Sequence, residues 1–227
     1  MNLTIDIIDR QPGFIIVNKP PGVGFHDEAE AAGFFNQVKS TLNIDQLYPV
    51  HRLDKMTSGL LIFATTKEAA TEFQHLFADK QVEKYYLALS DQKPKKKQGL
   101  IKGDMEKSRR GMWKLTRSMN NPAISQFFSF SLANKTRLFI VKPHTGKTHQ
   151  IRVALASIGS AIIGDDYYSK TSSDRGYLHA YSLKFQFNKQ HYHYQVQPTS
   201  GELFLAATCQ EQLKQIGCPG ELNWPQV

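Results

Sequence analysis

Cysteine is scarce: two residues, Cys209 and Cys218, both close to the end of a 227-residue chain. That usage leaves no material for a disulfide framework or a cysteine-based zinc site, and it fits a reducing, cytoplasmic setting. Long apolar runs are missing too. No stretch approaches the roughly 18 consecutive apolar residues of a membrane helix, so no membrane association is expected. The opening MNLTIDIIDRQPG has no basic stretch followed by an apolar core, so no secretion signal is expected either. Internal repeats are absent, as is low-complexity sequence beyond Lys95–Lys97. A nucleotide-binding P-loop is also excluded: Gly146-Lys147-Thr148 would need a glycine five residues before Gly146, and Val141 stands there. What remains is 41% hydrophobic and 21% charged, ordinary for a globular protein. With no linker-like composition shift, a single domain over residues 1–227, built of two packed halves, is expected.

The charge is informative once located. Lysine and arginine number 28 against 20 acids. The window from Lys93 to Arg117 alone holds ten basic residues and two acids, leaving 18 of each sign elsewhere. The excess is therefore one local patch (Lys95, Lys96, Lys97, Arg109 and Arg110 among it) on a neutral body. Such a patch suits a phosphate backbone, through charge neutralisation and counterion release. The plainer alternative is a solvated basic loop.

Periodicity gives the fold class. Phe14 to Val17 reads as a strand stopped by Pro20, Pro21 and Gly22. Asp27 and Glu30 form a capping pair for a helix presenting Phe34, Phe35, Val38 and Leu42. LLIFAT reads as a buried strand, and Thr65 with Glu68 opens a helix with Phe73, Leu76 and Phe77 inward. KYYLALS, ISQFFSFSL and TRLFIVKP read as strands, and HQIRVALASIG as a helix closed by Gly159. In YLHAYSLKFQF, Tyr177, His179, Tyr181, Leu183, Phe185 and Phe187 share one strand face. Strands mixed with a few helices, in no strict βαβ order, predict an α+β fold with a mixed, mostly antiparallel sheet.

Two polar constellations carry possible chemistry. In His51-Arg52-Leu53-Asp54-Lys55-Met56-Thr57-Ser58-Gly59 a carboxylate is flanked by cations on a turn that leads into an apolar strand. Neighbouring positive charge keeps a carboxylate ionised, and an ionised aspartate on a rigid edge is a usable nucleophile or base. Equally, Asp54, Thr57 and Ser58 are residues that hydrogen-bond a turn backbone. In Lys142-Pro143-His144-Thr145-Gly146-Lys147-Thr148-His149-Gln150-Ile151-Arg152 a polar turn enters a helix. Its backbone N–H groups with Lys147 and Arg152 suit a phosphate or a carboxylate, though an arginine there also serves as an ordinary ion-pair partner. His144 and His149 are five apart, which does not put two ligands on one helix face, whereas His191 and His193 share a strand face and would need a third ligand to hold a metal. No metal is expected, and a metal-dependent RNA hydrolase stands as an alternative.

Taken together, these stretches resemble the RluA family of pseudouridine synthases. IIVNKPPGVGFH (15–26) is similar to the family's opening strand and Lys-Pro-x-Gly loop, and HRLDKMTSGLLIFA (51–64) to the segment with the catalytic aspartate. KYYLAL (84–89) is similar to its Lys-x-Tyr strand, and TGKTHQIRVALASIGSAIIGDDYY (145–168) to its third motif with the Gly-Asp turn after it. The resemblance spans almost the whole chain, with HRLD-x-x-TSG the most specific part.

The resemblance implies the pseudouridine synthase fold around a catalytic cleft, and isomerisation of uridine to pseudouridine in ribosomal or transfer RNA without a cofactor. By matching position, Asp54 corresponds to the catalytic aspartate, and Arg52 to the arginine that helps hold the target nucleotide out of its stack. Tyr86 corresponds to the tyrosine that packs on uracil, with Tyr85 the neighbour if the register slips by one, and Arg152 to the arginine that pairs with the catalytic carboxylate. His51, Thr57, Lys147 and Gln150 fall in the same motifs and are expected at the substrate, with the 93–117 segment on the RNA backbone. The family commonly has arginine at Lys147 and often histidine at Ala154. Many relatives carry a separate N-terminal RNA-binding domain; this chain, starting at the catalytic part, resembles the compact members and is expected to act as a monomer. A non-catalytic RNA-binding protein would keep the basic patch but would not need Asp54, Tyr86 and Arg152 together.

Overall fold

The computed structural model describes residues 4–27 and 31–226. In chain order the elements are β1 (Asp6–Gln11), β2 (Phe14–Lys19), α1 (Phe34–Thr41), β3 (Tyr48–Pro49), β4 (Ser58–Ala64), α2 (Lys67–Ala78) and β5 (Glu83–Ser90). There follow β6 (Gln98–Gly103), β7 (Met105–Lys107), β8 (Trp113–Leu115), β9 (Ala123–Ser131), β10 (Arg137–Pro143) and α3 (Gln150–Ser157). The chain ends with β11 (Leu178–Phe187), β12 (Gln190–Gln195), α4 (Glu202–Leu205) and α5 (Ala207–Ile216). These elements fall into two compact units, residues 1–83 with 180–197 and residues 84–179 with 198–227. The α+β expectation holds, and antiparallel pairing prevails within both units.

In the first unit β2 pairs antiparallel with β1 and β4, β3 adds to β4, and β11, beside β4, carries the antiparallel β12. Every residue of β2 and β4 is buried, and Phe14–Val17 and Leu60–Ala64 within them read as unbroken apolar runs rather than alternating ones. Phe14, Ile16, Leu60 and Ile62 pack with Phe73 and Leu76 of α2 and with Leu183, Phe185 and Phe187 of β11. Phe14 is met edge-on by Phe73, Phe185, Phe187 and Tyr192 at 5.5, 5.6, 5.2 and 5.1 Å. On the opposite face Phe63 meets Phe34 of α1 at 6.4 Å and Phe25 at 6.1 Å.

Both helix starts differ in detail from the sequence reading. The cap of α2 is Thr66, one residue later than expected: its Oγ1 accepts from Ala69 N–H at 3.1 Å, while Thr65 N–H donates to Gly13 O. Glu68 keeps its place in the first turn. For α1 the N-cap is Gly33, and Asp27 serves the helix from outside it, accepting from Gly33 N–H at 2.7 Å and from the Asn36 amide. Glu30 lies outside the described residues. Phe34 and Val38 are buried as expected, whereas Phe35 and Leu42 are half-buried.

In the second unit the order is β5-β10-β9-β6, each pair antiparallel, and β7 and β8 form a separate hairpin. Cross-strand partners share a face. Leu87 opposite Ile140 opposite Phe128 therefore defines one side of this sheet, and Tyr86 opposite Val141 opposite Phe127 the other. Tyr85 lies on the first side, 99% buried, with Trp224 at 5.9 Å and the Lys142 ammonium 5.3 Å from its ring centre. Helix α3 lies on the second side, where Gln150 Nε2 donates to Ser125 Oγ at 3.0 Å. It ends as expected, with Gly159 just past it at φ +75°.

The second residue of β4, Gly59, has to be glycine. Its φ is +107°, and a β-carbon there would stand 2.2 Å from Ala180 O. Gly59→Ala is therefore expected to destabilise the protein by roughly 3 kcal/mol or more. Removing the α2 cap with Thr66→Ala is expected to cost about 1 kcal/mol. Denaturant midpoints of the two variants, compared with wild type, check the ranking; equal midpoints would contradict it.

Candidate active site

The site in the first unit is built from the end of β2. Lys19 is fully buried, and its Nζ donates to Pro20 O at 2.9 Å, Thr57 O at 2.9 Å and Lys55 O at 3.3 Å. A buried ammonium is tolerated where each of its three protons meets an oxygen, as here. Pro20 and Pro21 bring no N–H to the turn, and Gly22 N–H donates to Lys55 O at 2.8 Å. The aspartate turn closes on itself as Thr57 N–H donates to Asp54 O at 3.0 Å. Two loops distant in sequence are thus fastened together, and Asp54, half-buried, rides on the fastened turn.

Around Asp54 the motif residues have distinct surroundings. Arg52 is exposed and Thr57 is buried. The His51 ring lies 4.9 Å from Phe77, and its Nε2 accepts from Ile62 N–H at 3.0 Å, which puts the proton of a neutral ring on Nδ1. Lys19 escaped the sequence reading as a site residue, although a signal existed. A lysine that follows the apolar run Phe14–Val17 at the end of a strand buried along its whole length must find acceptors for its ammonium inside the protein.

In the second unit Arg152 is the centre. It is nearly buried on α3, and its Nε and Nη2 donate to the two oxygens of Asp165, both at 2.7 Å. The Tyr167 and Tyr168 rings lie 5.2 Å from its guanidinium carbon. Asp165 Oδ1 also accepts the backbone N–H groups of Tyr167 and Tyr168 at 3.0 and 3.2 Å. A two-point pair of this kind fixes the plane of the guanidinium as well as its position. Sequence reading placed Asp165 in a Gly-Asp turn without assigning it this partner.

Gln150 is buried and fully engaged: Oε1 accepts from Thr145 Oγ1 at 2.7 Å and Lys147 N–H at 3.0 Å, and Nε2 donates to Ile124 O and Ser125 Oγ, both at 3.0 Å. Its visible work is to hold the 145–147 turn against β9. Lys147 Nζ donates to Asn121 Oδ1 at 2.8 Å. Tyr86, half-buried, is on the same sheet side as α3, whereas Tyr85 is on the Trp224 side. Lys84, two residues before Tyr86, has its pKa lowered by burial.

The basic segment is more structured than a loop. Lys93, Lys95, Lys96 and Lys97 are exposed in the β5–β6 connection, and Arg109 and Arg110 are exposed at the tip of the β7–β8 hairpin, with Lys114 paired to Glu106 at 3.3 Å. As for the histidines, His144 meets Gln126 at 2.7 Å and His193 meets Ser182 at 3.1 Å. Among the described residues no three His, Cys, Asp or Glu side chains are grouped to hold a metal, and no helix is long and apolar enough to cross a membrane.

Comparison with known proteins adds the family. Residues 13–157 match the family described as RNA pseudouridylate synthase. An uncharacterized RNA pseudouridine synthase of Haemophilus influenzae is 47% identical over 93% of this chain and 96% of its own length. A dual-specificity RNA pseudouridine synthase RluA of Pasteurella multocida is 29% identical over 80% of this chain and 87% of its own. A ribosomal large subunit pseudouridine synthase C of Rickettsia bellii is 31% identical over 78% of this chain, which spans 62% of that protein. In fold, the chain is similar to human RNA pseudouridylate synthase domain containing 1, with a TM-score of 0.73 at 23% identity over 85% of this chain and 83% of the other. The match over residues 13–157, together with 47% identity to an RNA pseudouridine synthase over 93% of the chain, means that this chain belongs to the RNA pseudouridylate synthase family of enzymes, which isomerise uridine in RNA.

Proposed function

We propose that the chain converts uridine to pseudouridine in structured ribosomal or transfer RNA with Asp54 as its catalytic group and no cofactor. The observation that carries this reading is the fastening of the Asp54 turn by Lys19, which presents a half-buried carboxylate from a rigid edge. The names of the relatives supply the substrate class: one is a ribosomal large subunit enzyme, another a dual-specificity one.

The chemistry breaks the N1–C1′ bond, turns the detached base, joins C5 to C1′ and removes the C5 proton. Electrons and atoms balance within the nucleotide, so neither a redox partner nor a group donor is needed. Asp54 supplies the anionic group at the sugar, either as nucleophile at C1′ or as base toward a sugar proton. Arg152 serves the carboxylate, and its own orientation is supported by Asp165. Tyr86 is the ring against the loose uracil, favoured over Tyr85 because Tyr85 is covered on the Trp224 side of its sheet. Tyr86 or water takes the C5 proton. The base must first leave its stack, at about a few kcal/mol. Arg52, exposed, fills the vacated space, His51 and Thr57 hold the turn that carries it, and Lys147 and the exposed cations of the 93–117 segment hold phosphates.

Tritium release from RNA labelled at uracil C5 tests the centre of this reading. Wild type is expected to release tritium equally with and without EDTA, while Asp54→Asn loses at least about a thousandfold in rate yet still binds RNA. Release by Asp54→Asn near the wild-type rate would sink the assignment, and loss of release with EDTA would sink its metal independence. Fractionating the labelled RNA names the substrate.

The backbone role of the patch is checked separately. Reversing Lys95, Lys96 and Lys97 to glutamate is expected to weaken RNA binding, and to flatten the dependence of log K on log salt by about one unit for each phosphate no longer neutralised. Unchanged affinity and slope would remove these lysines from the interface.

A further inference from the structure

The hairpin and the buried arginine are joined by more than proximity in sequence. Helix α3 is entered through His149, whose φ of 56° is left-handed, a conformation a residue with a β-carbon keeps only when its surroundings hold it. Tyr168 helps to hold it. The Tyr168 hydroxyl lies 3.1 Å from His149 Nδ1 and accepts Trp113 N–H, the first residue of β8, at 2.8 Å. The same residue places its ring 5.2 Å from the Arg152 guanidinium carbon and its backbone N–H on Asp165, the partner of Arg152.

A second tie runs from the other end of the hairpin. Asp104, between β6 and β7, accepts the backbone N–H groups of Asn120 and Asn121 at 2.9 and 2.8 Å. The Asn121 side chain in turn accepts from Lys147 Nζ at 2.8 Å. The hairpin is thus attached at residue 147 by one route and at residue 149 by another, immediately before the helix that carries Arg152. Its tip, Arg109 and Arg110, is exposed and cationic, with Arg110 and Gly111 both in left-handed backbone at φ 54° and 76°.

We propose that Tyr168 and Asn121 are positioning residues that transmit the seating of the β7–β8 hairpin on RNA to Arg152, so that RNA held at the tip raises turnover and not merely affinity. This inference rests on the proposed function, in which Arg152 serves the catalytic carboxylate. Tyr168 is suited to the task because one side chain touches the hairpin, the helix cap and the guanidinium. A displacement of β8 therefore moves the hydroxyl, and with it the segment that carries Asp165. Asn121 acts on the opposite side of the same turn.

Steady-state tritium release on a structured RNA substrate separates this from a merely structural role. Tyr168→Phe and Asn121→Ala are each expected to lower kcat about fivefold to tenfold, with KM within about twofold of wild type and thermal midpoints close to it. In a background of Arg109→Ala with Arg110→Ala, which removes the tip charges, Tyr168→Phe is expected to have little further effect on kcat. A kcat within about twofold of wild type for either single variant, a change confined to KM, or a full additional loss in the tip background would each overturn the proposal. Arg152→Ala completes the set. If it turns over normally, the role of Arg152 fails and this inference with it; if it is inactive while Tyr168→Phe is normal, this inference alone fails.

Discussion

A single buried ammonium organises the aspartate turn. Lys19 Nζ meets the carbonyls of residues 20, 55 and 57, and no hydrophobic side chain of similar size could replace it without taking a charged donor away from all three. The geometry of the turn follows: two prolines that cannot donate, a glycine that reaches back to residue 55, and a threonine that closes on Asp54. The strand β4 then has Gly59 as its second residue, where the backbone of residue 180 leaves no room for a side chain. The polar motif and the strand behind it are therefore one mechanical object.

The second unit solves a related problem with an ion pair instead of carbonyls. Arg152 and Asp165 are both nearly inaccessible, and a buried pair is stable only when its remaining hydrogen-bonding capacity is met. Here Asp165 takes two backbone N–H groups in addition to the guanidinium, and two tyrosine rings cover the cation. The arrangement gives a guanidinium a fixed plane, which electrostatic catalysis requires and a mobile surface arginine does not supply.

Much of this was legible in the sequence. Strands with both faces buried announced themselves as apolar runs, and α2 and α3 carried clear periodicity, α3 with its glycine stop. What escaped falls into two kinds. Short strands such as β1, β3 and the β7–β8 pair are charged or only two to six residues long, and they exist because a neighbour supplies their hydrogen bonds. The second kind is partnership: Lys19 with residues 55 and 57, Arg152 with Asp165, and Trp113 with Tyr168 join positions that periodicity cannot connect. The shift of the α2 cap from Thr65 to Thr66 belongs to the same class, since the Thr65 N–H is claimed by Gly13. The motif resemblance supplied the residues, and the structure supplied their holders.

Each unit is assembled from segments far apart in the chain, which bears on how the protein is made. Phe14, near the start, finds its aromatic neighbours in Phe185, Phe187 and Tyr192, and Tyr85 is covered by Trp224. A ribosome releasing the chain from its N-terminus exposes β2 and β4 long before β11 and β12 exist to cover them. The first core therefore closes only once β11 and β12 have been made, and Tyr85 of the second is covered only once Trp224 has been. Until those segments are made, a growing chain carries the apolar runs Phe14–Val17 and Leu60–Ala64 uncovered, the kind of surface on which unfinished chains aggregate.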